Sequence, residues 1–261
     1  MLDNIKIDWT NFKILHSYDK HQVFFESEYM EHDAITAEEY FKWAKSSMDV
    51  IEEDFDVKTG IEIIANSKRA IDCKCESILH KFGYVKDING KNYPEIKEYF
   101  KGESAPIITL ISNLTDLNLI IVDEVRKLRN ILEHEFKCPT IEQVRRAVST
   151  AELFLLAINY KIMNTSYYIE ISSNKSDDIV RINLTKNDEE DLFKVQPVIC
   201  VNDTEFNPST NEYYRLLNIL ITGNYKKLPA LFNCNCSLQH IKYKEYYDED
   251  DMYFDELDDK I

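Results

Sequence analysis

Apolar residues recur every three to four positions through most of residues 36–163, which predicts amphipathic helices. The first predicted helix starts at Thr36, because Thr36 and Glu39 have the spacing of a capping box. A second predicted helix runs from about Ile61 to Phe82, with Gly83 in the position that commonly ends helices. These two segments predict one side of a helical bundle.

Three further helices are predicted before residue 165. A short one spans Pro94 to Lys101, and a long one runs from about Ile107 to Phe136. Pro139 then breaks the pattern, and Thr140 with Gln143 forms a second capping box that opens a helix to about Met163. Four substantial amphipathic helices with mostly short links are typical of a bundle.

The pattern changes after residue 165. Strands are predicted over 167–172, 179–184, 197–201 and 238–243, with a helix over 209–222 that Ser209 would cap. The predicted fold class is therefore mainly α: a helical bundle followed by a small α+β domain. The predicted domains are 1–165 and 166–261. Residues 1–35 form an irregular segment of the first, whose short apolar pieces could also be strands.

Charge is unevenly distributed along the chain. The net charge is −16, which argues against nonspecific nucleic-acid binding over the whole surface. The predicted acidic tail, 248–261, holds eight acids and one lysine. Residues 120–146 hold six bases and five acids, so this segment is less acidic than the rest of the chain.

Targeting and cofactor signals are not evident. The N-terminus has no apolar run typical of a signal peptide, and no stretch has the length of a membrane span, so a cytoplasmic protein without membrane contact is expected. Six cysteines lack the spacing of a zinc site, so we expect free thiols, no metal and no cofactor.

The segment 125–136 carries the candidate chemistry. On a helical wheel, Arg126, Asn130 and His134 fall on one stripe that faces away from the predicted core, and Arg129 lies on the same side. A histidine that titrates near neutral pH can move the proton of an RNA 2′-hydroxyl, and a guanidinium can hold two phosphate oxygens. This combination predicts RNA cleavage without a metal.

Arg129, Asn130 and His134 resemble the signature of the HEPN family of helical ribonucleases. The segments 65–73, 133–140 and 152–154 are also similar to the family, and the resemblance covers residues 36–163 but not 166–261. It implies a dimeric, metal-independent endoribonuclease of a toxin or phage-defence system. Arg129 and His134 would then be catalytic, with Asn130 in support, and a two-fold dimer would supply one histidine and one arginine from each subunit.

Three alternatives stay open. Arg145 and Arg146 could bind phosphate, as could Arg126, or they could only balance the acidic surroundings. Arg129 and Glu133 could be an ordinary surface pair. The chain could also be a catalytically silent HEPN module that binds a protein inhibitor or regulator through its C-terminal region. His16, His21, His32, His80 and His240 have no partner spacing and are interpreted as structural or surface residues.

Overall fold

The computed structural model describes residues 7–16, 35–51, 55–84, 107–118, 120–134, 137–174, 176–186, 197–232, 234 and 241–247. The chain divides into two units. The helical unit is Glu28–Asn164, and the sheet unit combines Met1–Ser27 with Thr165–Ile261. The predicted short helix over 94–101 and the acidic tail over 248–261 lie outside the described residues.

Five α-helices occupy the described part of the helical unit: α1 (Ala37–Ile51), α2 (Val57–Lys81), α3 (Ile107–Thr115), α4 (Ile120–His134) and α5 (Ile141–Met163). Helix α2 contacts each of the other four. Its buried side chains include Ile63, Ile64, Ile71 and Ile78, spaced so that they line one face of the helix. The helical unit is therefore a bundle arranged around α2.

Both predicted capping boxes form. The Thr36 backbone N–H donates to Glu39 Oε2 at 2.8 Å, and the Glu39 N–H donates to Thr36 Oγ1 at 3.1 Å. Thr140 and Gln143 make the same reciprocal pair at 2.9 and 3.3 Å. These bonds satisfy backbone donors that the first helical turn cannot pair internally, so they fix where α1 and α5 begin.

Two helix boundaries differ from the prediction. Helix α2 starts at Val57, before the predicted Ile61, because the Asp56 carboxylate accepts from the Thr59 N–H at 2.8 Å. The single helix predicted over 107–136 is two helices, α3 and α4, separated around Asp116, whose φ of 54° no α-helix contains. Apolar periodicity continues across this break, so it did not reveal the turn.

The described residues of the sheet unit form six strands: β1 (Asn11–His16), β2 (Tyr168–Ser173), β3 (Ser176–Lys186), β4 (Pro197–Val201), β5 (Thr204–Phe206) and β6 (Lys242–Tyr247). Their order is β5-β4-β3-β2-β1-β6. Pairing is antiparallel throughout except between β1 and β6, which run parallel. The sheet is therefore mixed.

Alternation along the strands gives the sheet a buried face, which includes Phe12 and Ile14 of β1 and Ile169 and Ile171 of β2. The sheet unit also holds α6 (Asn211–Thr222), a 3₁₀ turn (Tyr225–Lys227) and the short helix α7 (Leu228–Leu231). Helix α6 packs against β4. It is capped by Thr210, whose hydroxyl accepts from the Tyr213 N–H; the predicted cap, Ser209, bonds to Asn207 instead.

The mainly α fold class is wrong. The described residues contain seven α-helices and a six-stranded mixed sheet, which makes this a mixed α and β protein. The error has a physical cause, since β1 pairs with β2 and β6, more than 150 and 220 residues further along the chain. The N-terminal strand, which the sequence analysis placed in the helical domain, belongs to the sheet unit.

Of the helices in the described ranges, none combines the length with the apolar character that crossing a bilayer requires.

Candidate functional site

Helix α4 carries the predicted catalytic residues. Val122, Val125 and Leu132 are buried and hold the helix against the rest of the bundle. Residues four apart on a helix share a face, so this buried stripe leaves the positions between its members to face outward. The predicted stripe of Arg126, Asn130 and His134 therefore belongs to a helix whose other side packs against the bundle.

Arg129 and Asn130 lie side by side at the surface of α4. The Arg129 side chain is partly exposed, Asn130 is exposed, and Arg129 Nη1 is 3.5 Å from Asn130 Oδ1. This distance is at the outer limit for a hydrogen bond, so the contact restrains the guanidinium only weakly. Both side chains can thus reach a ligand from the solvent side.

The backbone positions of Arg126 and His134 are on the same helix, and His134 is the last residue of α4. Their side chains lie outside the described part of the structure. A rise of 1.5 Å per residue places the His134 backbone about 7.5 Å beyond Arg129 along the helix axis. The structure therefore shows that Arg129 and His134 are five residues apart on one α-helix, and it does not describe the position of the histidine ring.

A groove of about 220 Å³ lies between α4 and α5. Its lining residues are Glu124, Val125, Lys127, Leu128, Gln143, Arg146, Ala147 and Thr150. Ligand pockets usually enclose roughly 300–1,000 Å³, so this groove is smaller than a usual ligand pocket. Of the predicted substrate-binding residues, Arg146 lines it.

Arg146 binds within the protein. Its Nη2 lies 2.9 Å from Glu124 Oε2, and the two side chains are 65% and 58% exposed. Exposed ion pairs contribute only about 0–1 kcal/mol, so a phosphate could compete for this guanidinium. Arg145 is also exposed, on the neighbouring position of α5. The structure thus places Arg145 and Arg146 on a different helix from Arg129.

A second polar cluster, which the sequence analysis did not predict, lies in the sheet unit. His16, at the end of β1, is only 4% exposed. Its Nδ1 is 3.3 Å from Ser166 Oγ and 3.5 Å from the Tyr225 hydroxyl, and these two oxygens are 2.9 Å apart. On the other side of the ring, His16 Nε2 is 3.5 Å from Glu245 Oε2. Four separate segments meet at this histidine.

The contacts favour one tautomer of His16. A proton on Nε2 faces the Glu245 carboxylate, and Nδ1 then accepts from the Ser166 hydroxyl, which in turn accepts from Tyr225. Burial lowers the pKa of His16 below its usual value, and the nearby Glu245 carboxylate opposes that effect only in part. The ring is therefore neutral at pH 7.

Sequence reasoning interpreted His16 as structural or surface because none of its partners is near in sequence. Ser166 is 150 residues away, and Tyr225 is 209 residues away. One local signal existed. His16 is two residues after Ile14 and four after Phe12, so all three side chains lie on the same buried face of β1. That signal could have predicted burial but not the identity of the partners.

Among the described residues, no group of three or more histidine, cysteine, aspartate or glutamate side chains is arranged to hold a metal ion. Compared with protein-family models, with curated proteins and with solved structures, the chain matches none of them. The family resemblance therefore rests on the residues of α2, α4 and α5 alone.

Proposed function

We propose that the helical unit is a metal-independent endoribonuclease that acts as a homodimer in a toxin or phage-defence setting. The observation that carries the proposal is the pair Arg129 and Asn130, which lie together and solvent-accessible on the outward side of α4. A guanidinium beside an amide suits a phosphodiester, because the first can bind two phosphate oxygens and the second can orient the phosphate. The resemblance to HEPN ribonucleases supplies the reaction class.

In the proposed reaction the RNA 2′-oxygen attacks the adjacent phosphorus. A bond forms between phosphorus and the 2′-oxygen, and the bond to the 5′-oxygen breaks. His134 takes the 2′-hydroxyl proton, and His134 of the partner subunit gives a proton to the departing 5′-oxygen. The products are a 2′,3′-cyclic phosphate and a 5′-hydroxyl, and no water is consumed.

Arg129 would bind the scissile phosphate and stabilise the charge that develops on its oxygens. Asn130 would orient the phosphate through its amide. Arg126, Arg145 and Arg146 would bind neighbouring phosphates, Arg146 after exchanging its Glu124 contact for one with RNA. This role for Arg146 predicts binding that weakens steeply as the salt concentration rises.

The test is incubation of the purified protein with total RNA in the presence of EDTA. Arg129→Ala and His134→Ala should each lower the cleavage rate about 10²–10⁴-fold, which is the usual contribution of an acid–base group. Arg215→Ala and His80→Ala serve as matched controls, since both replace exposed residues of the same types outside the motif. Cleavage by the wild type that ends in cyclic phosphates and survives both control substitutions would support the proposal.

The second candidate is a catalytically silent module that binds a protein partner. Two observations favour it. Arg146, a predicted phosphate-binding residue, is already paired with Glu124, and the net charge of −16 repels RNA. Such a module would leave RNA intact in EDTA. It would also bind its partner equally well with and without His134.

A further inference from the structure

The C-terminal half of α5 exposes four large apolar side chains. Leu153, Leu156, Tyr160 and Met163 are 61%, 64%, 68% and 72% exposed. The opposite side of the same segment is apolar and buried, with Phe154, Leu155, Ile158 and Ile162 in the core. A helix that is apolar on all sides is ordinarily covered on all sides, so the exposed residues, which we call the α5 stripe, indicate an interaction surface.

The spacing of the α5 stripe is symmetric. Its members are separated by three, four and three residues, which reads the same in both directions and has Ile158 at its midpoint. Apolar residues spaced alternately three and four positions apart are typical of two helices that pack side chain between side chain, as in a coiled coil. A second α5 laid antiparallel would put Leu153 opposite the partner's Met163 and Leu156 opposite the partner's Tyr160.

Charge also favours a second copy of this chain. Residues 153–163 contain Lys161 and no carboxylate, although the whole chain has a net charge of −16. Electrostatic repulsion between two copies is therefore smallest where these segments meet. A strongly charged partner would find little complementary charge there.

The available area suits a modest dimer. Four side chains of this size, about two-thirds exposed, present on the order of 500 Å² on each copy. Two copies would bury on the order of 1,000 Å², which is near the lower limit for a specific interface. The polar residues that flank the stripe add to this area.

We propose that α5 pairs with α5 of a second copy in an antiparallel arrangement, about a two-fold axis that crosses the exposed side of α5 at the level of Ile158. This contact does not rest on the ribonuclease proposal. Leu153 is twelve residues beyond Ile141, where α5 begins, so the α5 stripe starts about 18 Å from the helix end that follows His134. Arg129 lies on α4 and not in the α5 stripe, so the composite nuclease site requires a separate contact.

The first test measures the mass of the full-length protein between about 1 and 100 μM by sedimentation or by light scattering. The wild type should self-associate through the α5 stripe, and Leu156→Glu should weaken that association about 100-fold or more, because each copy then buries a charge. Val50→Glu is the matched control: Val50 is 77% exposed on α1, so the same charge lies outside the proposed interface. Circular dichroism should show unchanged folding for both variants, because both sites are exposed.

The second test determines the register. Leu156→Cys and Tyr160→Cys proteins are mixed under mild oxidation, and the unsubstituted protein with its own six cysteines gives the background. Antiparallel pairing should cross-link one variant to the other in preference to either variant with itself. A parallel pair would instead cross-link each variant with itself and would overturn the proposed geometry.

Two other results would overturn the inference: a wild-type protein that stays monomeric at 100 μM, or an association that Leu156→Glu leaves unchanged. A wild type that stays monomeric at 100 μM would also contradict the homodimer of the proposed nuclease. Leu156→Glu separates the two proposals, because it should weaken the α5 contact and leave any RNA cleavage unchanged.

Discussion

Two polar groups among the described residues, the Arg129–Asn130 pair and the His16 cluster, are built in opposite ways. Arg129 and Asn130 are adjacent on one helix, face solvent and are joined by a contact of 3.5 Å. The His16 cluster draws one residue from each of four segments and is centred on a ring that is 4% exposed. The first group faces solvent, whereas the second brings polar side chains together around a buried ring.

This difference indicates different roles. A surface pair on one helix adds little stability, so its residue types are explained better by what they bind. A buried polar network is costly when any member is missing, because the remaining groups lose their partners without regaining water. We therefore expect substitutions in the two groups to affect different measurements.

The largest stability effect is expected from His16→Ala. It removes a buried ring and leaves Ser166, Tyr225 and Glu245 with fewer partners, so the free energy of unfolding should fall by about 2–4 kcal/mol. Urea denaturation in a Trp43→Phe background measures this, since Trp9 is then the one remaining tryptophan of the chain and reports on the sheet unit. The control His80→Ala, at an exposed position of α2, should change stability by less than about 0.5 kcal/mol. Equal effects would remove the distinction between the buried cluster and the surface.

A smaller effect is expected from pH. The pKa of His16 is lower in the folded protein than the usual 6.5, because burial disfavours the charged ring. The folded state thus binds fewer protons, so its stability is full above about pH 6.5 and declines as the pH falls towards the folded pKa.

The same Trp43→Phe background separates this contribution from that of other groups. Urea midpoints are measured at pH 7.5 and 5.5 with His16 and with His16→Asn, which cannot titrate. The protein with His16 should lose more stability on acidification than the variant. An equal loss in both would show that His16 does not control the pH response of the cluster.

The smallest effect is expected at Arg146 and Glu124. A double-mutant cycle with Arg146→Ala and Glu124→Ala should give a coupling energy below about 1 kcal/mol, because both side chains are more than half exposed. Trp43 fluorescence in a Trp9→Phe background reports on the helical unit. A coupling above 2 kcal/mol would make this pair a structural element like the His16 cluster and would argue against its exchange for phosphate.

The helical bundle was largely predictable from the sequence, because its signals are local. The capping boxes at Thr36 and Thr140 and the apolar periodicity of α1, α2 and α5 each depend on residues within one helix. The positions of Arg129 and Asn130 on the outward side of α4 followed from the same periodicity. The family resemblance and the ribonuclease activity stay predictions.

The sheet was only partly predictable. The sequence pattern indicated β2, β3 and β4, and it predicted a strand over 238–243 that overlaps only the first two residues of β6. It left the N-terminal pieces open between strands and irregular structure. The residues near Phe12 in sequence do not indicate that it pairs with Ser173 on one side and with Tyr243 on the other. Pairing across such separations depends on packing of the whole unit. The fold class and the His16 cluster were missed for this same reason.

The position of β1 between β2 and β6 has a consequence for biosynthesis. The ribosome makes Phe12 more than 200 residues before its β6 partner Tyr243, a delay of about 10–50 s at usual elongation rates. Every residue of the helical unit is made within that interval. We expect the bundle to acquire its structure while the chain is still being translated. The nascent β1 then waits with both hydrogen-bonding edges open until β2 emerges, and with one edge open until β6 emerges.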